Sequence, residues 1–199
     1  MDQPVYIVDD DSAVRDSLRM LLESAGHAVR DFDAARAFLS DADMDGGCLI
    51  VDIRMPGMSG LELQEELVRR NVSLPVIVIT GHGDVPLAVR AMTAGAVDFI
   101  EKPFNDQRML DSVARALQIG HQKRNRAGET QAARGLLVLL TPREREVFDQ
   151  LVKGRPNKIV AHELGISPRT VEIHRSNIMD KLLARNLSDL VRTALAADG

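Results

Sequence analysis

Cys48-Leu49-Ile50-Val51-Asp52-Ile53-Arg54-Met55-Pro56-Gly57 is a short apolar run that ends in one carboxylate and then breaks at Pro-Gly. With Gly46-Gly47 in front and Pro56-Gly57 behind, it reads as a buried parallel strand. Ligands of open α/β sheets gather beyond the carboxyl ends of the strands, so this strand delivers Asp52 to the rim where chemistry takes place. Taken alone, Asp52 reads more readily as a solvated acid in a strand-to-helix loop. Three further strand exits shift the balance. Tyr6-Ile7-Val8 runs into Asp9-Asp10-Asp11, Val76-Ile77-Val78-Ile79 into Thr80-Gly81-His82-Gly83, and Val97-Asp98-Phe99-Ile100-Glu101 into Lys102-Pro103. An acid cluster, a lone acid, a hydroxyl and a lysine thus stand in chain order at strand ends.

Between these strands the chain turns helical. Ser12 is placed to cap a first helix whose Val14, Leu18, Leu21, Leu22 and Ala25 share a face, and Gly26 ends it. His27 to Phe32 makes a weaker second strand and Asp33 to Leu39 a short helix. Gly60 to Arg70 is a helix with Leu61, Leu67 and Val68 inward; Asp84 caps the next, which closes at Gly95. Asn105 caps the last, whose core face carries Met109, Leu110, Val113 and Leu117. Strands alternating with helices imply right-handed crossovers and an α/β fold, a doubly wound five-stranded parallel sheet. In the flavodoxin-like order 2-1-3-4-5, strands one and three would lie side by side at the switch point and Asp9 and Asp10 would face Asp52.

At 199 residues the chain suits one large or two small domains, and its hydrophobic content of 45% is ordinary for a globular protein. No apolar run approaches the roughly 18 residues of a membrane span, and no charged-then-apolar N-terminus suggests secretion. The expected location is cytoplasmic, without membrane contact. The single cysteine, Cys48, sits inside a predicted strand as a small hydrophobe and has no redox role. Charge is divided unevenly. Through Gly120 there are 20 acids against 11 bases, a net of −9; from His121 onward 9 acids face 14 bases, a net of +5. The basic half is attracted to phosphate backbones and the acidic half is repelled by them.

From about residue 119 to 140 the chain is polar, HQKRNRAGETQAARG lacking any apolar stripe, which suits an extension of the fifth helix or a mobile linker. The expected organisation is 1–120, a linker over 121–136, and a small all-α domain over 137–199. Thr141-Pro142-Arg143-Glu144 combines an N-cap, a proline at the first helical position and an acid in the third. Asn157 opens a second helix, Gly165 stops it, and Ser167-Pro168 starts a third, which together make a helix-turn-helix pattern. On a 3.6-residue wheel the third helix turns Val171, Ile178 and Leu182 inward, with His174 and Arg175 at the margins. Arg169, Glu172, Ile173, Ser176 and Asn177 point outward as base-reading candidates. Lys158, Thr170, His174, Arg175 and Lys181 are placed for phosphates.

Residues 4 to about 118, with the phrases DIRMPGMSG, ITGHGD and AGAVDFIEKPF, resemble the receiver domain of bacterial response regulators, in particular the FixJ-type subfamily. LTPREREV and GRPNKIVAHELGISPRTVEIHR resemble the LuxR-type DNA-binding domain. Crowded carboxylates at a sheet edge repel unless a cation bridges them, and an all-oxygen site suits Mg²⁺. The resemblance implies that Asp10 and Asp52 ligate the metal, that Asp9 helps through water and that Arg54 adds its backbone carbonyl. It implies further that Asp52 is phosphorylated by a cognate sensor histidine kinase, that Thr80 and Lys102 hold the phosphoryl oxygens, and that Phe99 is a rotamer switch. Lys102-Pro103 is cis in similar receivers. Dimerisation through the face of helix four, strand five and helix five, binding of promoter DNA, contact with RNA polymerase and transcriptional activation follow from the same resemblance. No enzymatic activity is expected beyond phosphoryl transfer to and from Asp52. A DNA-binding factor that uses its receiver only as a dimerisation scaffold remains an alternative. A dehalogenase-like hydrolase fits less well, since such enzymes place a second acid two residues after the nucleophile and here Arg54 stands there.

Overall fold

The computed structural model describes residues 3–40, 44, 46–81 and 85–198. It divides into two compact units, Met1–Arg124 and Asn125–Gly199. The first contains β1 (Val5–Val8), α1 (Ser12–Ser24), β2 (Val29–Phe32), α2 (Ala35–Ser40), β3 (Cys48–Asp52), α3 (Gly60–Arg69), β4 (Val76–Thr80), α4 (Val85–Thr93) and β5 (Asp98–Glu101). Helix α5 (Asp106–Val138) begins in this unit and ends in the other, so residues 121–136 are helical.

The five strands pair in the order β2-β1-β3-β4-β5, and every pairing is parallel. Successive strand side chains point to opposite faces, which sorts the apolar runs into two layers. Val5, Ile7, Cys48, Ile50, Ile77 and Ile79 pack with Leu18 and Leu22 of α1 and with Met109, Val113 and Ala116 of α5. Tyr6, Val8, Leu49, Val51 and Val78 pack on the other side with Phe38 of α2, Leu61, Leu63 and Leu67 of α3 and Ala91 of α4. The strands β1, β3 and β4 are buried along their whole length, as continuous Val/Ile/Leu runs require when helices cover both faces.

Local details depart from the sequence reading at three points. The cap of α1 is Asp11, whose carboxylate accepts from the Ala13 N–H at 2.9 Å, and Ser12 is the first residue inside the helix. Ala25 is the C-cap and is exposed, because Gly26, with φ of 85°, turns the chain away from the core there. In α3 Val68 is 63% exposed, and the buried stripe runs through Gly60, Leu63, Gln64 and Leu67. Polarity did not keep Gln64 outside, since its Nε2 donates to the Ala91 carbonyl at 3.1 Å. The expected cap Asp84, like His82 and Gly83, lies outside the described residues.

The second unit comprises the end of α5, α6 (Pro142–Leu151), α7 (Asn157–Leu164), α8 (Pro168–Lys181) and α9 (Leu187–Asp198). Its core joins Val147, Phe148 and Leu151 of α6, Val160 and Ala161 of α7, Val171 and Ile178 of α8, and Leu190 of α9 with Ala133 and Leu137 of α5. Thr141 and Glu144 close a capping box at the start of α6. Gly165, left-handed with φ of 63°, ends α7 and turns the chain into α8. Among the described residues no helix is long and apolar enough to cross a membrane.

Candidate functional site

Register assembles the site. Val8 of β1 lies opposite Val51 of β3, so the next residues, Asp9 and Asp52, leave the sheet side by side. Asp52 lies opposite Ile79 of β4, and Thr80 opposite Glu101 of β5, which brings Thr80 and Lys102 to the same rim. The Lys102 N–H donates to the Thr80 carbonyl at 2.7 Å, and Lys102–Pro103 is cis. From there the lysine reaches back over the strand ends. Its Nζ donates to Asp9 Oδ2 at 2.6 Å and to Asp52 Oδ1 at 2.7 Å.

The other Asp52 oxygen, Oδ2, accepts from the backbone N–H of Arg54 at 2.6 Å, so both oxygens are held. Asp9 is 1% and Asp52 5% exposed, and Thr80 is fully buried. Burial pushes the Asp9 carboxyl above the usual carboxylate range, with the hydrogen bond from Lys102 pulling the other way. For Lys102 burial acts downward, but the hydrogen bonds to Asp52 and Asp9 outweigh it and its ammonium is held above the usual lysine value. The cation therefore stays charged between two acids that would otherwise repel each other.

Asp10 is exposed and borders an open groove of about 780 Å³ together with Arg54, Met55, Pro56, Leu87 and Arg90. Among the described residues no three His, Cys, Asp or Glu side chains converge as a ready-made metal cage. Phe99 is half-buried and packs against the α2–α3–α4 side of the sheet. Two participants were not read from the sequence. A Cβ on Gly60 would lie 2.3 Å from the Asp52 carbonyl oxygen, so α3 starts against the acid-bearing strand end only because residue 60 has no side chain. Arg15, one turn into α1, donates from Nη1 to the Asp9 carbonyl at 2.8 Å. The glycine at the start of a helix was a visible signal; the arginine carried none, since its partner is a main-chain atom.

In the second unit α8 presents Arg169, Glu172, Ile173, Ser176 and Asn177 to solvent, with Ile173 56% exposed, while Val171 and Ile178 are fully buried. Lys158 of α7 is exposed, and Thr170, His174 and Arg175 are half-buried. The hydroxyls of Thr170 and Ser167 hydrogen-bond at 2.8 Å at the head of α8. Lys181 has an internal partner, its Nζ lying 2.7 Å from Oε2 of the buried Glu144. The Lys181 ammonium and the Thr141 N–H hold that carboxyl down to about 2.

Residues 5–114 match the family described as response regulator receiver domain, and residues 138–194 match bacterial regulatory proteins of the luxR family. Transcriptional regulatory protein FixJ of Azorhizobium caulinodans is 50% identical over 98% of this chain and 92% of its own length. The FixJ of Rhizobium meliloti is 48% identical over 98% of this chain and 96% of its own. Among solved structures, the response regulator StyR superposes with a TM-score of 0.86 at 45% identity, covering 97% of this chain and 98% of its own. Full-length FixJ from B. japonicum gives a TM-score of 0.61 at 44% identity, covering 98% and 97%. An acid pair bridged by lysine at the switch point of a 2-1-3-4-5 sheet, followed by a helix-turn-helix unit and matched along both parts, places this chain among the FixJ-like two-component response regulators, which control transcription.

Proposed function

We propose that Asp52 accepts a phosphoryl group from a sensor histidine kinase in the cytoplasm, and that the phosphorylated chain dimerises and activates transcription from promoter DNA in contact with RNA polymerase. In this reading residues 1–120 form the receiver, 121–136 the connection and 137–199 the DNA-binding domain. The observation that carries it is the Lys102 ammonium shared between Asp9 and Asp52 at the carboxyl ends of adjacent strands. A half-buried cation at that point is placed to stabilise the oxygens of an incoming phosphoryl group.

In the transfer an Asp52 carboxylate oxygen forms the new bond to phosphorus, the phosphorus–nitrogen bond of the donor phosphohistidine breaks, and the imidazole leaves with its electron pair. The Arg54 N–H orients one carboxylate oxygen, and Lys102 follows the negative charge from the carboxylate to the phosphoryl oxygens. Thr80, at the end of β4, takes a phosphoryl oxygen through its hydroxyl, and Phe99 follows it inward. The available donors, the carboxylates of Asp9, Asp10 and Asp52 and the carbonyl of Arg54, are all oxygens and fit Mg²⁺. Asp10 and Asp52 would hold it, with Asp9 acting through water and Arg54 through its carbonyl. Mg²⁺, when bound, supplies positive charge against the acid cluster and the phosphoryl oxygens.

Exposure of Val85, Val89 and Met92 on α4 supports dimerisation through the face of α4, β5 and α5. On DNA, Arg169, Glu172, Ile173, Ser176 and Asn177 read base edges, while Lys158, Thr170, His174 and Arg175 fix register on phosphates. Incubation with Mg²⁺ and acetyl phosphate tests the acceptor. A phosphoryl mass adduct that hydroxylamine removes is expected on the wild-type chain and not on Asp52→Asn, which is nearly isosteric but a poor nucleophile. Equal labelling of the variant would move the acceptor elsewhere.

A further inference from the structure

The acid loop after β1 is held from several sides. The Asp9 N–H donates to the Phe32 carbonyl at 3.2 Å, Asp9 Oδ1 accepts from the Asp11 N–H at 2.9 Å, and Asp9 Oδ2 accepts from Lys102. The Asp9 carbonyl lies where the β1 ladder ends, and Arg15 takes it, with Nη1 at 2.8 Å. The same guanidinium is anchored behind: its Nε stands 3.3 Å from Asp31 Oδ2 on β2, and Asp31 Oδ1 is paired in turn with Arg19, one helical turn further along α1. The Arg15 side chain is only 17% exposed, so this is not a solvated surface pair.

Direction follows from covalent geometry. A peptide unit is planar, so fixing the Asp9 carbonyl oxygen also fixes the N–H of Asp10 and the line from which its Cα and carboxylate project. Asp10 itself is exposed, and among the described residues no side chain ties its carboxylate down. Its aim therefore depends on the backbone, and of the groups that hold the loop Arg15 is the one on the carbonyl of the Asp9–Asp10 peptide.

We infer that Arg15, braced by Asp31 and Arg19, is a positioning residue for the metal-binding acid Asp10, and that its guanidinium raises the affinity of the acid loop for Mg²⁺ without touching the ion. This rests on the proposed phosphoacceptor reading. Electrostatics alone predicts the opposite sign, because removing a cation near an acid cluster should tighten binding of a divalent cation. Groups that orient metal ligands are commonly worth about tenfold or more in metal affinity.

The test follows amide chemical shifts of the ¹⁵N-labelled full chain during a Mg²⁺ titration, alongside phosphorylation by acetyl phosphate across the same concentrations. For Arg15→Met the Mg²⁺ dissociation constant is expected to rise about tenfold. Its phosphorylation rate at saturating Mg²⁺ should stay close to that of the wild type, so that the loss sits in the Mg²⁺ half-saturation point. Arg19→Met, which removes only the outer brace, should shift the constant in the same direction by a smaller factor, and Arg15→Lys should recover part of the loss. Unchanged or tighter Mg²⁺ binding by a folded Arg15→Met, or by Arg19→Met should Arg15→Met not fold, overturns the inference. A wild-type chain that shows no Mg²⁺-dependent shifts near Asp52 overturns the underlying reading itself.

Discussion

Glu144 is 4% exposed and carries its charge without a solvent shell, held by the Lys181 ammonium at 2.7 Å and the Thr141 N–H at 2.8 Å. Buried acids survive in this way only when the charged form is hydrogen-bonded on several sides. Its carboxyl is held near 2 against an ordinary 4.5, and a depressed acid contributes stability that is complete above its unfolded value. That contribution is lost as pH falls from about 4.5 towards 2. Thermal melts of the full chain should accordingly show the transition of the Asn125–Gly199 unit weakening across that window. Lys181→Met should lower its stability at neutral pH by about 2 kcal/mol and make the acid dependence shallower. An unchanged neutral midpoint would show that the Lys181–Glu144 pair does not stabilise this unit. Asp9 shows the opposite direction, with burial raising its carboxyl beside Asp52 although Lys102 donates to it.

At the scale of elements, α3 begins where β3 ends, and the join tolerates no side chain at Gly60. The Gly60 N–H donates to the Ile53 carbonyl at 3.1 Å, and Ser59 and Glu62 close a capping box on the new helix. Gly60→Ala has helical backbone to favour it, yet its methyl would have to displace the Asp52 carbonyl. The expected result is a destabilisation of about 1–3 kcal/mol together with slower phosphorylation at every Mg²⁺ concentration, read by denaturant melts and acetyl phosphate kinetics. A stabilised variant, as helix propensity alone would give, contradicts the close approach. This junction also marks how far sequence reading reaches. Strand exits at Asp9, Asp52, Thr80 and Lys102 were legible because apolar runs that stop at polar residues have one sensible register in a parallel sheet. The capping box at Thr141 and the turn at Gly165 were legible because they are local patterns. What the sequence hid was contact at long separation. Lys102 meets Asp9 across 93 positions and Lys181 meets Glu144 across 37, and no periodicity announces either pair. Val68 was misplaced for a different reason, since apolar type outweighed the position of Gln64 on the buried stripe of α3.

For the whole molecule, a half with net charge −9 and a half with +5 share one chain, and only the second is attracted to DNA. Exposed charges more than about 8 Å apart are largely screened at physiological ionic strength, so simple repulsion by the acidic half is a weak regulator of promoter binding. Coupling two DNA-reading units is a stronger one, because a second half-site bound by a tethered partner adds avidity without any new base contact. Phosphorylation at Asp52 should therefore act on the number of half-sites engaged and leave the contacts at each one unaltered. On a duplex with two half-sites, acetyl phosphate and Mg²⁺ are expected to raise the apparent affinity of the wild-type chain by at least about tenfold, and on a duplex with one half-site by little. Asp52→Asn should show neither gain. A fragment of residues 125–199, which keeps Ala133 and Leu137 in its core, should bind the single half-site and ignore acetyl phosphate. Raised salt should weaken all of these complexes, as expected if Lys158, Arg175 and their neighbours meet phosphate in each. An equal gain on one half-site and on two would show that phosphorylation changes the DNA-reading unit itself, and dimerisation would then no longer be the step that carries the signal.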